Sequence, residues 1–114
     1  MLDLFAGLGN FTLPLARRAA EVAGVEGEAG LVARAQANAQ RLGFTNARFA
    51  VADLFTAEGI AAIPAGAWNK VLLDPPRSGA AAVLAAYDFR RVAAVCYVSC
   101  NHVTLARDAA TLTR

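Results

Sequence analysis

The feature that most constrains the fold is the alternation of short apolar runs with alanine-rich stretches along all 114 residues. Each apolar run is bounded by Gly, Pro, Asn or Asp, which is typical of buried parallel strands. The predicted strands are residues 2–5, 21–25, 47–51, 70–73 and 93–98. The predicted helices are residues 11–20, 29–42, 54–63 and 79–87, with a last helix from Val103 onward. The sequence therefore predicts an α/β domain with an open, doubly wound parallel sheet and right-handed crossovers.

Composition excludes several classes of protein. A chain of 114 residues, 57% of them hydrophobic, is one globular domain or part of one. No apolar run reaches the roughly 18 residues of a membrane span, and no secretory signal is present, so we expect a cytoplasmic protein without a membrane partner. The net charge of +2 is too small to indicate nucleic-acid binding by itself. Two cysteines and one histidine predict neither a disulfide framework nor a metal site.

Chemically capable residues follow all five predicted strands. Parallel strands end at one edge of the sheet, here called the carboxyl edge, where ligands bind in doubly wound folds. The residues in question are Gly7, Gly9 and Asn10 after the first strand, Glu26 after the second, Asp53 after the third, Asp74 and Arg77 after the fourth, and Cys100 after the fifth. A shared edge favours a single site over unrelated structural roles.

The residues after the first three predicted strands indicate a cofactor of the adenosine type. Gly7 and Gly9 permit a tight strand-to-helix turn, although Thr12 stands where a dinucleotide fingerprint has its third glycine. An acid at the place of Glu26 suits the two hydroxyls of a ribose. Asp53 has two open interpretations, a cap for the following helix and a partner for an adenine amino group.

The residues after the last two predicted strands indicate how a substrate is held and attacked. Two prolines hold Asp74 and Arg77 in a rigid loop, which suits substrate orientation. Cys100 lies between a strand and a helix, where helix amides lower a thiol pKa, so it is either a nucleophile or a small buried side chain. We interpret Cys96 as buried inside its strand, and His102 as a polar residue at a helix start rather than a base.

Three segments together resemble the RNA (uracil-5-)-methyltransferases. They are LDLFAGLGNFTLPLA at 2–16, LDPPRSG at 73–79 and YVSCNHVTLARD at 97–108. General methyltransferases share the first segment, whereas the second, followed by a Ser-Cys-Asn cysteine 26 residues after its Asp, is peculiar to this family. The TLARD ending is more similar to the bacterial 23S ribosomal RNA branch than to the transfer RNA branch.

The resemblance implies a Rossmann-like class I fold, S-adenosyl-L-methionine as cofactor and C5 of an RNA uridine as substrate. It implies Cys100 as the nucleophile that adds to C6 of the uracil, with Asp74 and Arg77 facing the base. The residues it implies for the cofactor pocket are Phe5, Gly7, Gly9, Asn10, Glu26, Asp53 and Asp74. His102 departs from the family, which usually has Pro there. An extruded or unpaired uridine is expected, because a paired base cannot be reached.

The same resemblance implies that residues 1–114 are a partial catalytic domain, without the RNA-binding portion and without the carboxyl-terminal strands and their general base. We therefore expect weak or no turnover in isolation, and self-association through an exposed sheet edge. The competing interpretations are an inactive fragment that binds only the cofactor, a transfer RNA uracil methyltransferase, a nicotinamide dehydrogenase and a methyltransferase of exocyclic amines. The dehydrogenase leaves Asp74, Arg77 and Cys100 unexplained, and the amine methyltransferase needs no cysteine.

Overall fold

A computed structural model describes residues 1–66, 68–98 and 107–108. Its centre is a five-stranded sheet in the order β3-β2-β1-β4-β5, and every pair of neighbouring strands is parallel. The strands are β1 (Leu2–Leu4), β2 (Val22–Glu26), β3 (Ala47–Val51), β4 (Lys70–Leu73) and β5 (Ala94–Tyr97). The predicted α/β class and all five predicted strands are confirmed, to within one residue at each strand end.

Four helices connect the strands, and each is shorter than its prediction. They are α1 (Thr12–Ala16), α2 (Ala29–Arg41), α3 (Ala57–Ala61) and α4 (Ala81–Ala86). α1 stops early because the Asn46 side-chain amide donates to the carbonyls of Ala16 and Ala19 at 2.6 and 2.9 Å. Of the predicted last helix, the structure describes only Arg107 and Asp108, both helical.

The core lies where β1, β2 and β4 pack against the helices. Leu2, Leu4, Val25 and Leu73 are all fully buried, and burying such a side chain stabilises a fold by about 1.5–3 kcal/mol. β2 and β4 are apolar on both faces where they are buried, because helices cover both sides of a parallel sheet, whereas β1 carries the buried acid Asp3 between Leu2 and Leu4. Among the described helices, none is long and apolar enough to cross a membrane.

The edge strand β5 corrects one prediction. Cys96 was expected to be a buried hydrophobe, but it is an exposed free thiol. Successive residues of a strand face opposite sides of the sheet. Val95 and Tyr97 pack against the core, whereas Ala94 and Cys96 point to the other face and are exposed.

Candidate active site

The sheet register brings the predicted site residues to one edge. Leu4, the last residue of β1, is paired with Val25 of β2 and with Leu73 of β4. The loops after these strands therefore start side by side at the carboxyl edge. This arrangement collects Phe5, Gly7, Gly9, Asn10, Glu26, Asp53, Asp74 and Arg77 at that edge.

The loop after β1 has a left-handed backbone at three positions. Phe5, Gly7 and Gly9 have φ angles of 64°, 58° and 84°, and a left-handed conformation costs a residue with a side chain roughly 1–2 kcal/mol. The two glycines nevertheless differ in their surroundings. A Cβ on Gly9 would lie 3.2 Å from the Phe49 ring, whereas a Cβ on Gly7 would meet no atom within 4 Å. Gly9 is required by packing, and Gly7 leaves the loop backbone open to a ligand.

The Glu26 carboxylate ties this loop to the end of β2. One oxygen accepts from the Gly7 N–H at 3.1 Å, and the other accepts from the Glu28 N–H at 3.0 Å. A carboxylate has about four lone-pair sites, so each oxygen can accept a further hydrogen bond. Glu26 is partly buried, and its orientation is fixed before any ligand arrives.

Asp53 does not cap α3. The cap is Thr56, whose hydroxyl accepts from the Gly59 N–H at 3.0 Å. One Asp53 oxygen accepts from the Phe55 N–H at 2.9 Å, which forms a local turn. The other oxygen has no hydrogen-bond partner within the described part of the chain. Of the two interpretations left open by the sequence, the helix cap is wrong.

Phe55 is a residue of this edge that the sequence analysis missed. Its ring centroid lies 5.7 Å from that of Phe5, with the two planes tilted by 57°. The Phe55 side chain is 54% exposed. The signal in the sequence was the position of Phe55, two residues after the predicted site residue Asp53. An apolar side chain exposed beside a polar site can serve as a contact surface for a flat ligand.

A second missed feature is the buried pair of Asp3 and Thr12. Asp3 is 1% exposed, its Oδ2 accepts from the Thr12 hydroxyl, and its Oδ1 has no partner among the described residues. Burial, with a smaller contribution from the charge of Asp74, raises the pKa of Asp3 to about 6, although the Thr12 hydrogen bond opposes the rise. An acid in the middle of an apolar strand was the signal in the sequence.

The loop of residues 74–80 begins beside the glycine loop. The Asp74 N–H donates to the Leu4 carbonyl at 3.4 Å, and the Gly79 N–H closes a turn on the Pro76 carbonyl at 2.8 Å. Asp74 is partly buried and Arg77 is exposed. The Asp74 carboxylate makes no hydrogen bond within the described segments. Both side chains therefore belong to the edge that carries Glu26 and Gly7.

The predicted nucleophile Cys100 lies outside the described residues, as does His102. The chain reaches that segment through Val98, whose N–H donates to the Leu73 carbonyl at 2.8 Å. Since Leu73 immediately precedes Asp74, β5 ends next to the start of the 74–80 loop. The role of Cys100 stays a prediction.

The carboxyl edge favours a ligand with positive charge. Among the described residues, the carboxylates of Glu26, Glu28, Asp53 and Asp74 outnumber the one guanidinium of Arg77 there, and grouped carboxylates attract cations. A cavity of about 570 Å³ lies elsewhere, lined by Met1, Arg18, Glu21, Trp68 and Lys70 among others. These residues are at or near the amino ends of the strands, and none is a predicted site residue. Cavity volume alone therefore does not locate the site.

The parallel sheet with its glycine loop and acidic carboxyl edge defines a class of cofactor-dependent enzymes. A family model described as "Methyltransferase domain" matches residues 1–62, more than half of the chain. The chain therefore belongs to the methyltransferase domain family.

Curated relatives are more specific. The chain is 56% identical over 109 residues to the 23S rRNA (uracil(1939)-C(5))-methyltransferase RlmD of Stenotrophomonas maltophilia, a match that covers 96% of this chain and 24% of the relative. It is 57% identical, with the same coverage, to RlmD of Xanthomonas oryzae pv. oryzae. These names confirm the resemblance to RNA uracil-5-methyltransferases. The chain spans about a quarter of the length of these relatives.

A solved structure agrees with this assignment. The tRNA (uracil-54, C5)-methyltransferase of Pyrococcus abyssi, solved in complex with S-adenosyl-L-homocysteine, matches with a TM-score of 0.82 and 28% identity. The match covers 97% of this chain and 27% of the archaeal protein. The predicted Rossmann-like fold is confirmed, and the predicted cofactor agrees with the ligand of this neighbour.

Proposed function

We propose that this chain binds S-adenosyl-L-methionine at its carboxyl edge and forms part of the catalytic domain of an enzyme that methylates C5 of a uridine in 23S ribosomal RNA. The identity of 56% with RlmD across 96% of the chain is the observation that carries the proposal. The geometry of the carboxyl edge supports it, because each predicted cofactor residue lies there.

The cofactor pocket is proposed from side chains with unused capacity. Glu26 would accept from the ribose hydroxyls with the lone pairs that its two backbone hydrogen bonds leave available. The free oxygen of Asp53 would accept from the adenine amino group, and the paired rings of Phe5 and Phe55 would form one apolar wall against the adenine. Gly7, Gly9 and Asn10 would line the remainder of the pocket, where Gly7 permits close backbone approach.

The electrostatics of the edge fit the same ligand. When bound, S-adenosyl-L-methionine supplies an electrophilic methyl group on a positively charged sulfur. Glu26, Asp53 and Asp74 place negative charge around that region of the sheet, and opposite charges attract more strongly where water is partly excluded. The demethylated product carries one positive charge fewer, so the same carboxylates would hold it less tightly and favour its release.

Cys100 is proposed to start the reaction. Its thiolate would form a bond to C6 of the uracil, and the electron pair of the C5–C6 double bond would move toward C5 and the C4 carbonyl. C5 would then take the methyl group, whose bond to the cofactor sulfur breaks with its electron pair. A general base would remove the C5 proton, and the C6–sulfur bond would break to restore the ring and the thiolate.

Asp74 and Arg77 are proposed to orient the uracil. The two prolines between them restrict the backbone, Arg77 lies in the turn that the Gly79 N–H closes on the Pro76 carbonyl, and the loop starts beside the glycine loop. A guanidinium and a carboxylate can hydrogen-bond the carbonyl and N–H groups of a uracil edge. The base would have to be unpaired or extruded from its helix to reach this edge.

A covalent-capture experiment tests the mechanism, and the two cysteines supply a matched control. The natural full-length protein that carries this sequence is incubated with S-adenosyl-L-methionine and a 23S ribosomal RNA fragment containing 5-fluorouridine. A base can remove a proton from C5 but cannot remove a fluorine from it, so the last step is blocked and the cysteine adduct accumulates. The adduct is measured by denaturing gel and mass spectrometry. We expect an adduct with the wild type and with Cys96→Ala, and none with Cys100→Ala. An adduct that survives Cys100→Ala contradicts the proposed nucleophile.

The same assay distinguishes the two RNA classes. A transfer RNA fragment with 5-fluorouridine is run in parallel with the ribosomal fragment. Faster adduct formation on the ribosomal RNA is expected from the identity with RlmD. Faster formation on the transfer RNA would move the assignment toward the function named for the archaeal neighbour.

A further inference from the structure

Asp108 is a buried carboxylate to which the proposed mechanism assigns no role. Its side chain is fully buried, and it accepts from three donors on three parts of the chain. The donors are the Ala80 N–H at 2.9 Å, the Tyr97 hydroxyl and the Arg107 Nε at 3.2 Å. A buried carboxylate is costly unless it is fully hydrogen-bonded, so an acid in this place needs an explanation.

The first donor belongs to the end of the 74–80 loop. α4 begins at Ala81 and is preceded by Ala80, whose methyl side chain cannot accept a hydrogen bond. The buried Ala80 N–H has its acceptor 28 residues further along the chain, in Asp108. The neighbouring Arg107 adds a second connection, because its Nη2 donates to the Ser78 carbonyl at 2.9 Å. Two consecutive residues thus fix the carboxyl-terminal half of the loop that carries Arg77.

The second donor connects Asp108 to the sheet. Tyr97 is the last residue of β5, and its hydroxyl shares the Asp108 oxygen that accepts from Ala80. β5 is itself held at this end by the Val98 N–H on the Leu73 carbonyl. The loop is therefore attached to β4 where it begins and, through Asp108, to the end of β5 where it finishes.

The charge of Asp108 is compensated locally. Burial by itself raises a carboxyl pKa, but the hydrogen bonds from Ala80, Tyr97 and Arg107 outweigh it and hold the pKa of Asp108 below its usual range. The side chain is thus ionised near neutral pH and is a strong acceptor for all three donors.

We propose that Asp108 is a positioning residue that fixes the 74–80 loop, and with it Arg77, in the orientation that the uracil requires. The proposal rests on the proposed function, since it assigns a purpose to the position of Arg77. Removal of the acceptors would leave the Ala80 N–H unsatisfied and the end of the loop held only by the Arg107 hydrogen bond to the Ser78 carbonyl. Asp74 lies at the start of this loop, where its own N–H donates to the Leu4 carbonyl, and the glycine loop and Glu26 make no hydrogen bond with Asp108. Cofactor binding should therefore be spared.

Asp108→Ala and Asp108→Asn are compared in the natural full-length protein that carries this sequence. Alanine removes both acceptors, whereas asparagine keeps one oxygen that can accept from Ala80 and Tyr97. We expect Asp108→Ala to lower kcat about 30-fold while the dissociation constant for S-adenosyl-L-homocysteine changes less than threefold. Asp108→Asn should recover kcat to within about fivefold of the wild type.

Two further variants keep the test decisive if Asp108→Ala folds poorly. Tyr97→Phe removes one donor but leaves the Ala80 hydrogen bond, and should lower kcat by about threefold. Asp88→Ala removes an exposed acid that pairs with Arg90 at 2.8 Å, and should leave kcat unchanged. Equal loss of kcat and cofactor affinity in Asp108→Ala and Asp108→Asn would overturn the proposal and leave Asp108 a purely structural residue.

The outcome also separates this inference from the proposed function. If the wild type methylates C5 of uridine and Asp108→Ala does so at an undiminished rate, the positioning role is wrong and the function stands. If the wild type binds S-adenosyl-L-homocysteine but modifies another atom, the proposed function is wrong. Hydrogen exchange of the Ala80 amide then still tests the attachment, because Asp108→Ala should accelerate it and Asp88→Ala should not.

Discussion

The first half of the chain, residues 1–62, and the second half, residues 63–114, differ in how closely their sequences are tied to one family of methyltransferases. The general methyltransferase model matches residues 1–62, which contain β1 to α3, whereas the similarity to RlmD extends over 109 residues. The first half carries Phe5, Gly7, Glu26 and Asp53, all predicted to contact the cofactor. The second half carries Arg77 and Cys100, predicted to act on the uracil. On these predictions, the cofactor is bound largely by the half that the general methyltransferase model matches, and the choice of reaction belongs to the second half.

Both halves nevertheless share one core. Leu4 and Val25 from the first half pack in the same cluster as Leu73 and Val83 from the second. β2 and β3 lie on one side of the central β1, and β4 and β5 lie on the other. Because all five strands are parallel, the cofactor loops and the substrate loop start at the same edge. A separation of roles along the sequence is therefore compatible with a single site in space.

The largest expected effect tests the first half. Glu26→Ala removes the acceptor for the Gly7 and Glu28 N–H groups and for the proposed ribose hydroxyls. We expect the dissociation constant for S-adenosyl-L-homocysteine to rise about 30-fold, or about 2 kcal/mol, as measured by calorimetry. Glu28→Ala is the matched control, because it alters a neighbouring acid but keeps the backbone N–H. Equal losses in both variants would mean that Glu26 acts only through net charge.

The next effect concerns how the free energy of unfolding depends on pH through Asp3, a residue of the first half. Asp3 has a pKa of about 6 in the folded protein and 3.8 as its reference value, so between these pH values the folded state binds more protons than the unfolded state. The free energy of unfolding should therefore fall as pH rises from 4 to 7, by about 2 kcal/mol from this group. Asp3→Asn should flatten that dependence in denaturant titrations, whereas Glu58→Gln on α3 should not. A wild-type stability that rises over this range would contradict the assignment.

A smaller effect tests the second half. Arg77→Ala should lower kcat for uridine methylation about tenfold, equivalent to about 1.4 kcal/mol, because the substrate loop loses its guanidinium. The affinity for S-adenosyl-L-homocysteine should stay within twofold of the wild type, since Arg77 is not among the predicted cofactor residues. Single-turnover assays and calorimetry measure the two quantities on the same preparations. A loss confined to cofactor affinity would erase the proposed division between the halves.

The smallest effect distinguishes backbone strain from contact in the glycine loop. Gly7→Ala places a Cβ in open space but keeps a φ of 58°, so we expect a loss of about 1 kcal/mol in unfolding free energy from strain alone. Gly30→Ala, inside α2, is the control and should stabilise the chain by about 0.5–1 kcal/mol. If Gly7→Ala is as stable as the wild type, the left-handed conformation of this residue is not required.

The sequence predicted the strands better than the site. Apolar runs bounded by turn residues locate buried parallel strands, since burial on both faces leaves little choice of residue. The end of α1 was predicted less well because a distant side chain, Asn46, contacts its last carbonyls. The start of α3 was misplaced because the cap is Thr56 and not Asp53. The carboxyl edge followed from topology alone, so Glu26, Asp53 and Asp74 could be placed there without coordinates.

The remaining site features depend on contacts between distant residues. The pairing of Phe5 with Phe55 joins loops after two different strands, and the Asp108 hydrogen bond to Ala80 spans 28 residues. No local pattern predicts such contacts. The burial predicted for Cys96 was wrong for a related reason. An edge strand has the same apolar sequence pattern as a central strand, but in β5 the face that carries Cys96 is exposed.

The most direct test of the account is identification of the methylated atom. The natural full-length protein that carries this sequence is incubated with a 23S ribosomal RNA fragment and isotopically labelled S-adenosyl-L-methionine, and the digested nucleosides are separated by liquid chromatography and mass spectrometry. We predict labelled 5-methyluridine with the wild type and with Cys96→Ala, and none with Cys100→Ala. Label on an exocyclic amine or on a ribose, or labelled 5-methyluridine formed by Cys100→Ala, would contradict the account.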